Sequence, residues 1–435
     1  MSEALQERLE HALAASPLLP RLQLFAAPFL ERRGKDAAAR ALDDEGARGL
    51  ACVLAGPAEI ARYLALRPEL FERIAHATPE ALERRRGELE QLAQPASLES
   101  DLEGFLDALR LLRRDETAYV AALDLGGRVD FERASGFLST LAETCVRFAL
   151  RAAEVHSGAP SPSGLSAIGM GKIAGRELTY QSDLDLIFLY PDASDVTLAP
   201  TRVAQRLIAY LGTLTGAGVA YAVDARLRPS GRQGTLVSTA ASFRSYQLEQ
   251  AATWEHLALM RARPLAGDVS GSAALLDAIR GALLDPQRAE WAEIDAMRMR
   301  VERQRADAGT VALKTGRGGL MDIEFLAAGA LLERGPVSGI PAVPPLLRAH
   351  VQGRRVERLL EGYALLRRVE SRSRWLAGRA SETLPSEGEA AEQIADLVAP
   401  GMTAELLART LQRACTRIRA AYRAVIHAGS IQALA

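Results

Sequence analysis

The chain has 435 residues, of which 48% are hydrophobic and 5% aromatic, so it can bury a large core, and its length points to roughly two to four domains. With 53 Lys and Arg against 54 Asp and Glu, it lacks the basic surplus that draws proteins onto nucleic acid. No run approaches the roughly 18 apolar residues of a membrane span, and no basic segment with an apolar stretch behind it marks a secretory signal, so the expected location is the cytoplasm. Ala, Leu, Glu and Arg dominate long stretches and lose little rotamer freedom in a helix, which predicts a mostly helical chain. Cys52, Cys145 and Cys415 are widely spaced in apolar helical contexts, form no CxxC pair, and predict buried reduced thiols.

From Ser2 to about Glu154 apolar residues recur at spacings of three and four, as in EIARYLALRPELFERI, and predict helix after helix. The turn-rich stretch that follows, HSGAPSPSG, ends this run and places a domain boundary near residue 160. Next, LSAIG and SDLDLIFLY read as two strands, 201–214 as a helix, and GVAYAVDARLRPSG as a third strand. Helix resumes through FRSYQLEQAATWEHLALMRARPLAGD, with Trp254, Leu257 and Met260 on one packed side and His256 as a satisfied core histidine. From about Ser270 onward the helical pattern breaks only at KTGRGGLMDIEF and GPVSGIPAVPP. The fold class is therefore α+β and predominantly helical. A small mixed-sheet domain, 159–270, is expected between an N-terminal helical domain, 1–158, and a C-terminal helical bundle, 271–435.

Side chains alternate along a strand, so Asp183 and Asp185 point to one side while Leu184, Leu186 and Phe188 point to the other. Two carboxylates at that spacing repel unless a divalent cation neutralises them, and oxygen ligands suit Mg²⁺. The same parity applied to the third strand puts Asp224, Arg226 and Arg228 on one polar face. If that strand neighbours the D-x-D strand, Asp224 completes a two-metal site, and the arginines meet phosphate oxygens or pair with carboxylates. Upstream, Gly169 and Gly171 free backbone amides to approach a polyphosphate, and Lys172 adds a positive charge. A glycine turn, a D-x-D strand and a later Asp, in that order, are what the polymerase-β-like nucleotidyltransferase superfamily shows. A solvated acidic edge remains the alternative reading of the D-x-D taken alone.

Four blocks extend the comparison. GMGKIAGRELTYQSDLDLIFLY resembles the GxGKxGGxEL…SDxDLIFLY block of the bacterial glutamine synthetase adenylyltransferase/adenylyl-removing enzymes, with Ala174 in place of a glycine. VDARLRPSGRQGTLV and SFRSYQLEQAATWEHLALMRARPLAGD resemble that family's next two blocks, and KTGRGGLMDIEF resembles its KxGxGGxxDIEF. The resemblance covers roughly Gly56 to Gly335. Members usually carry two such modules in one longer chain, one adding AMP to a glutamine synthetase tyrosine and one removing it by phosphorolysis. The wording RPSG, YQLEQAATWEH and MRARPLAGD is closer to the adding module than to the RPFG and DWERYAMxKAR of the removing one.

The resemblance implies a Mg²⁺-dependent adenylyltransferase using ATP, with glutamine synthetase as protein substrate and a nitrogen-signalling regulatory protein as a further partner. Asp183, Asp185 and Asp224 are then its catalytic and metal residues, Asp224 nearest the attacking tyrosine. Two readings stand for Ser182, a γ-phosphate contact or the closing of a turn. Two stand for Arg226 and Arg228: they steady the triphosphate, or they pair with the D-x-D or Glu177. The Lys314 loop is either a second phosphate contact or a turn joining helices. Asp322 and Glu324 lie about 200° apart if helical, which argues against a shared metal. The alternatives in other classes are a phosphorolytic deadenylylase, a template-free RNA polymerase disfavoured by the charge balance, and a degenerate regulatory module disfavoured by the intact acidic trio.

Overall fold

Helices account for most of the chain in the computed structural model, which describes residues 2–92, 101–159, 163–192, 198–284, 291–304, 310–381 and 383–435. The parts of the expected helical and turn-rich runs at 93–100, 160–162, 285–290 and 305–309 lie outside these residues. Local chemistry starts and stops the helices. Asp130 accepts from the Arg133 amide at 2.8 Å at the head of the helix Phe131–Ser157, and Gly158, at φ +61°, ends it in the left-handed conformation that glycine adopts without steric cost. Thr78, Asp101, Thr239 and Thr403 cap four further helices in the same way.

The sheet is built on strand β1 (Ser166–Gly169) and strand β2 (Leu184–Tyr190), which run antiparallel with Gly169 opposite Leu186. Strand β3 (Val223–Asp224) and strand β4 (Val237–Thr239) lie parallel to β2 along its other edge, and strand β5 (Arg263–Ala266) pairs antiparallel with β1. Alternation along β2 supplies two cores. Leu184, Leu186 and Phe188 pack with the helices 131–157 and 198–212, whereas Ile187 and Leu189 pack with Phe243, Leu276 and Ile279 of the helices 240–249 and 269–283. A third core gathers the helices from 291 onward. The first core also takes in Trp375 and Leu397, so the last third of the chain closes onto the N-terminal helices.

Several expectations change in detail. The third strand is two residues long, not the ten or so that its β-branched content suggested, because the chain turns after Asp224. The segment RARPLAGD, expected to be helical, contributes β5, whose hydrogen bonds go to β1. LMDIEF, expected to be a break, belongs to the helix Leu320–Arg334. A small two-stranded sheet, β6 (Thr310–Ala312) with β7 (Thr383–Pro385), was not foreseen. Cys52 and Cys145 are buried, Cys415 is partly buried, and all three are free thiols. Among the described residues, no helix is long and apolar enough to cross a membrane.

Candidate metal and nucleotide site

The register of β2 against β3 places Asp185 directly opposite Asp224. Asp183 stands two residues before Asp185, and one carboxylate oxygen from each of the three lies within 4.8 Å of the others. Asp183 is exposed, whereas Asp185 and Asp224 are half-buried. Burial raises the Asp185 carboxyl to about 6, with the charge of Asp183 next and Asp224 adding to it, against the opposing pull of Lys314 and Lys172. Three hard oxygen donors at this spacing, one of them burdened by its neighbours' charge, fit a divalent cation such as Mg²⁺, which would offset that repulsion.

The loop between β1 and β2 shapes the rim of this cluster. Gly171, at φ +52°, opens the short helix Gly171–Ala174, and a Cβ there would lie 2.8 Å from Asp185 Oδ2. Gly169 ends β1 between Leu186 and Arg263. Gln181 takes the left-handed conformation at φ +54°, unusual for a residue with a side chain, and its amide oxygen accepts from Arg113 Nη2 at 3.1 Å. Ser182 is buried and its hydroxyl accepts from the Thr179 amide at 3.1 Å, so in the structure it closes a turn.

The arginines part company. Because the strand stops at Asp224, parity does not carry on to Arg226 and Arg228. Arg226 curls back so that its Nε and its backbone amide both donate to Asp224 Oδ1 at 2.9 Å. Arg228 donates to the carbonyls of Ala225 at 2.7 Å and Gly234 at 3.2 Å, bracing the loop after Asp224. Glu177 is bonded by Arg261 and, at 2.8 Å, by the Tyr363 hydroxyl, so it is not the partner of Arg226 or Arg228. Trp254, expected in a core, is 40% exposed, while His256 Nε2 meets the Gln247 carbonyl at 2.8 Å as a satisfied histidine.

The chain from residue 48 to 278 matches the model of the glutamate-ammonia ligase adenylyltransferase family, just over half its length. The chain belongs to the glutamate-ammonia ligase adenylyltransferase family. It is 39% identical over 293 residues to a bifunctional glutamine synthetase adenylyltransferase/adenylyl-removing enzyme of Chromobacterium violaceum, covering 64% of this chain and 32% of that one. The enzyme of the same description from Nitrosococcus oceani is 38% identical over 300 residues, covering 62% and 30%. The chain thus spans about a third of the length of the curated relatives it matches. Residues 292–426 match a second model, that of the GlnD PII-uridylyltransferase.

For a member of this nucleotidyltransferase family, the part after residue 290 bears closely on the carboxylates. Lys314 sits in the loop before the helix 320–334, and its charge acts on Asp185 across the seam. Behind that loop Asp322 is fully buried, bonded to Arg298 and Arg419 and accepting from the Gly318 amide at 3.0 Å, which leaves it no part in a metal site. From the helix Arg354–Ala377, Glu370 bonds Lys172, Arg367 bonds the Glu177 carbonyl, and Arg374 Nη1 reaches Ser182 Oγ at 3.4 Å. The sequence reading passed over Arg367, Glu370 and Arg374. Their signal was charge at spacings of three and four within RRVESRSRW, which marks a polar stripe on a helix without naming its partners.

Proposed function

We propose that this chain is a Mg²⁺-dependent adenylyltransferase that moves AMP from ATP to a tyrosine of glutamine synthetase, releasing pyrophosphate. The observation that carries the reading is the pairing of Asp185 with Asp224 in parallel strands, with Asp183 beside them. These three carboxylates would hold the cation, whose charge offsets that of the triphosphate and lowers the pKa of a phenol from about 10. Asp224, on the outer strand, is the carboxylate that meets the incoming tyrosine and accepts its proton as the oxygen attacks the α-phosphorus in line. The Gly171 turn lies against Asp185, the charge of Lys314 acts on the same carboxylate, and Arg226, exposed beside Asp224, holds the Asp224 carboxylate through its Nε.

The direction is supported by the adding-module wording of RPSG and MRARPLAGD. The relatives' printed description carries both directions, so phosphorolytic removal of AMP is the second reading. Incubation with α-labelled ATP, Mg²⁺ and purified glutamine synthetase tests both. Label on a glutamine synthetase tyrosine supports transfer. ADP formed from adenylylated glutamine synthetase and phosphate, without label uptake in the forward assay, assigns removal instead.

A further inference from the structure

Lys172 follows Gly171, where a Cβ would lie 2.8 Å from Asp185 Oδ2, and the Lys172 charge acts on that carboxylate. A lysine is a compact charge on a flexible four-carbon stem and can carry its ammonium to a nearby carboxylate. Among the described residues, however, neither Asp183 nor Asp185 takes part in an ion pair, and the Lys172 ammonium is bonded to Glu370, 198 residues away along the chain. Glu370 is almost completely buried and held from two further directions, by Arg367 Nη1 on Oε2 at 2.6 Å and by Arg374 Nη2 on Oε1 at 3.1 Å. Those arginines are fixed in turn, Arg367 by the Glu177 carbonyl and Arg374 by Ser182 Oγ. Glu370 is thus an acceptor fixed by two arginines, with the Lys172 ammonium as its third cation.

We propose that Glu370 is a positioning residue that holds Lys172 away from Asp183 and Asp185, keeping those carboxylates open to a divalent cation. The inference rests on the metal reading of the three aspartates. Without the Glu370 carboxylate, Lys172 swings to the D-x-D and forms an internal ion pair. Only the fraction of molecules with that pair broken then binds metal, and the apparent affinity falls by the same factor. Arg367 is tied to the Glu177 carbonyl, and Arg374 to Ser182 Oγ and the Ser381 carbonyl, so both stay anchored when Lys172 moves.

Calorimetric titration of the full chain with Mn²⁺, in the absence of nucleotide, tests this. Glu370→Gln is expected to weaken Mn²⁺ binding about tenfold or more, and the double variant Glu370→Gln with Lys172→Met to return it to within about threefold of the parent. Lys172→Met alone should stay within about the same threefold. Should Glu370→Gln fail to give the parent's circular dichroism, Glu370→Asp serves in its place. It keeps the charge among the arginines but withdraws the oxygen from Lys172, and the same weakening and rescue are expected. Unchanged affinity in a folded Glu370 variant, or a double variant as weak as the single one, overturns the proposal. The metal reading itself is judged separately. If Asp183→Asn and Asp185→Asn leave Mn²⁺ binding intact, that reading falls; if they abolish it while the Glu370 variant does not weaken it, only the present inference falls.

Discussion

Burial, then the charges of Asp183 and Asp224, hold the Asp185 carboxyl at about 6, well above its ordinary value of 3.8. A carboxyl raised in this way favours the folded state below about pH 4, and that contribution is lost as pH rises from about 4 to about 6, because the unfolded chain ionises first. Above pH 6 the metal-free protein therefore carries a penalty on the order of 1–3 kcal/mol at this residue. Asp185→Asn removes it. Chemical denaturation in chelator at about pH 7.5, above the transition, should show the variant more stable than the parent by an amount of that order, while its Mn²⁺ binding is lost. A variant no more stable than the parent would show that neither burial nor the neighbouring aspartates penalise the charge of Asp185. Asp224→Ala behaves differently. Its ion pair with Arg226 is formed by an arginine that is 60% exposed, so loss of that pair should change folding by less than about 1 kcal/mol, while transfer of label to glutamine synthetase is expected to disappear. Near-parent transfer by that variant would remove Asp224 from the chemistry.

At the scale of elements, the Lys314 loop offers the clearest test. Gly318 adopts φ +72°, and a Cβ there would fall 1.9 Å from the Cys415 carbonyl on the helix Ala404–Ala428. Gly318→Ala must push the loop off that helix, breaking the Asp322 bond to the Gly318 amide, at a cost of roughly 2–4 kcal/mol. Because Lys314 rides on the same loop, ATP affinity measured by fluorescence titration should fall with stability; intact ATP affinity in the folded variant would detach Lys314 from the nucleotide. The elements themselves were unequally legible. β1 and β2 were readable because their apolar alternation and flanking turns are local signals. The pairing of β2 with β3 was an assumption at the level of sequence, and parity beyond Asp224 misplaced Arg226 and Arg228 because nothing local says that a strand ends after two residues. β5 reads as helix because RPLA is set between helices and becomes a strand only by bonding to β1. Order and spacing found the acidic trio, but the Lys172 partner lies on a helix far along the chain, where only the fold brings it near.

At the scale of the molecule, the helix 354–377 joins parts that the sequence reading divided. Arg372 Nη2 donates to Asp124 Oδ1 at 2.7 Å, and the Tyr180 hydroxyl donates to Asp124 Oδ2 at 2.7 Å, so one buried carboxylate links the N-terminal helices, the β1–β2 loop and the C-terminal helices. Farther out, Ser16 Oγ donates to Asp396 Oδ2 at 2.6 Å and Gln393 Nε2 to the Pro17 carbonyl at 3.2 Å, closing the chain's later helices onto its first ones. Contacts of this kind couple the parts more tightly than a linker would, and the first apolar core, which contains Trp375 and Leu397, couples them again. The protein should therefore unfold in one cooperative transition followed by calorimetry and by tryptophan fluorescence alike. Arg372→Met leaves Asp124 buried without its cation, for which the expected loss is about 3–5 kcal/mol, felt across the whole transition rather than in one part of it. If the C-terminal helices instead melt separately and the variant destabilises that step alone, the seam is a docking contact between independent units. The carboxylate cluster would then survive without the helix that holds Lys172.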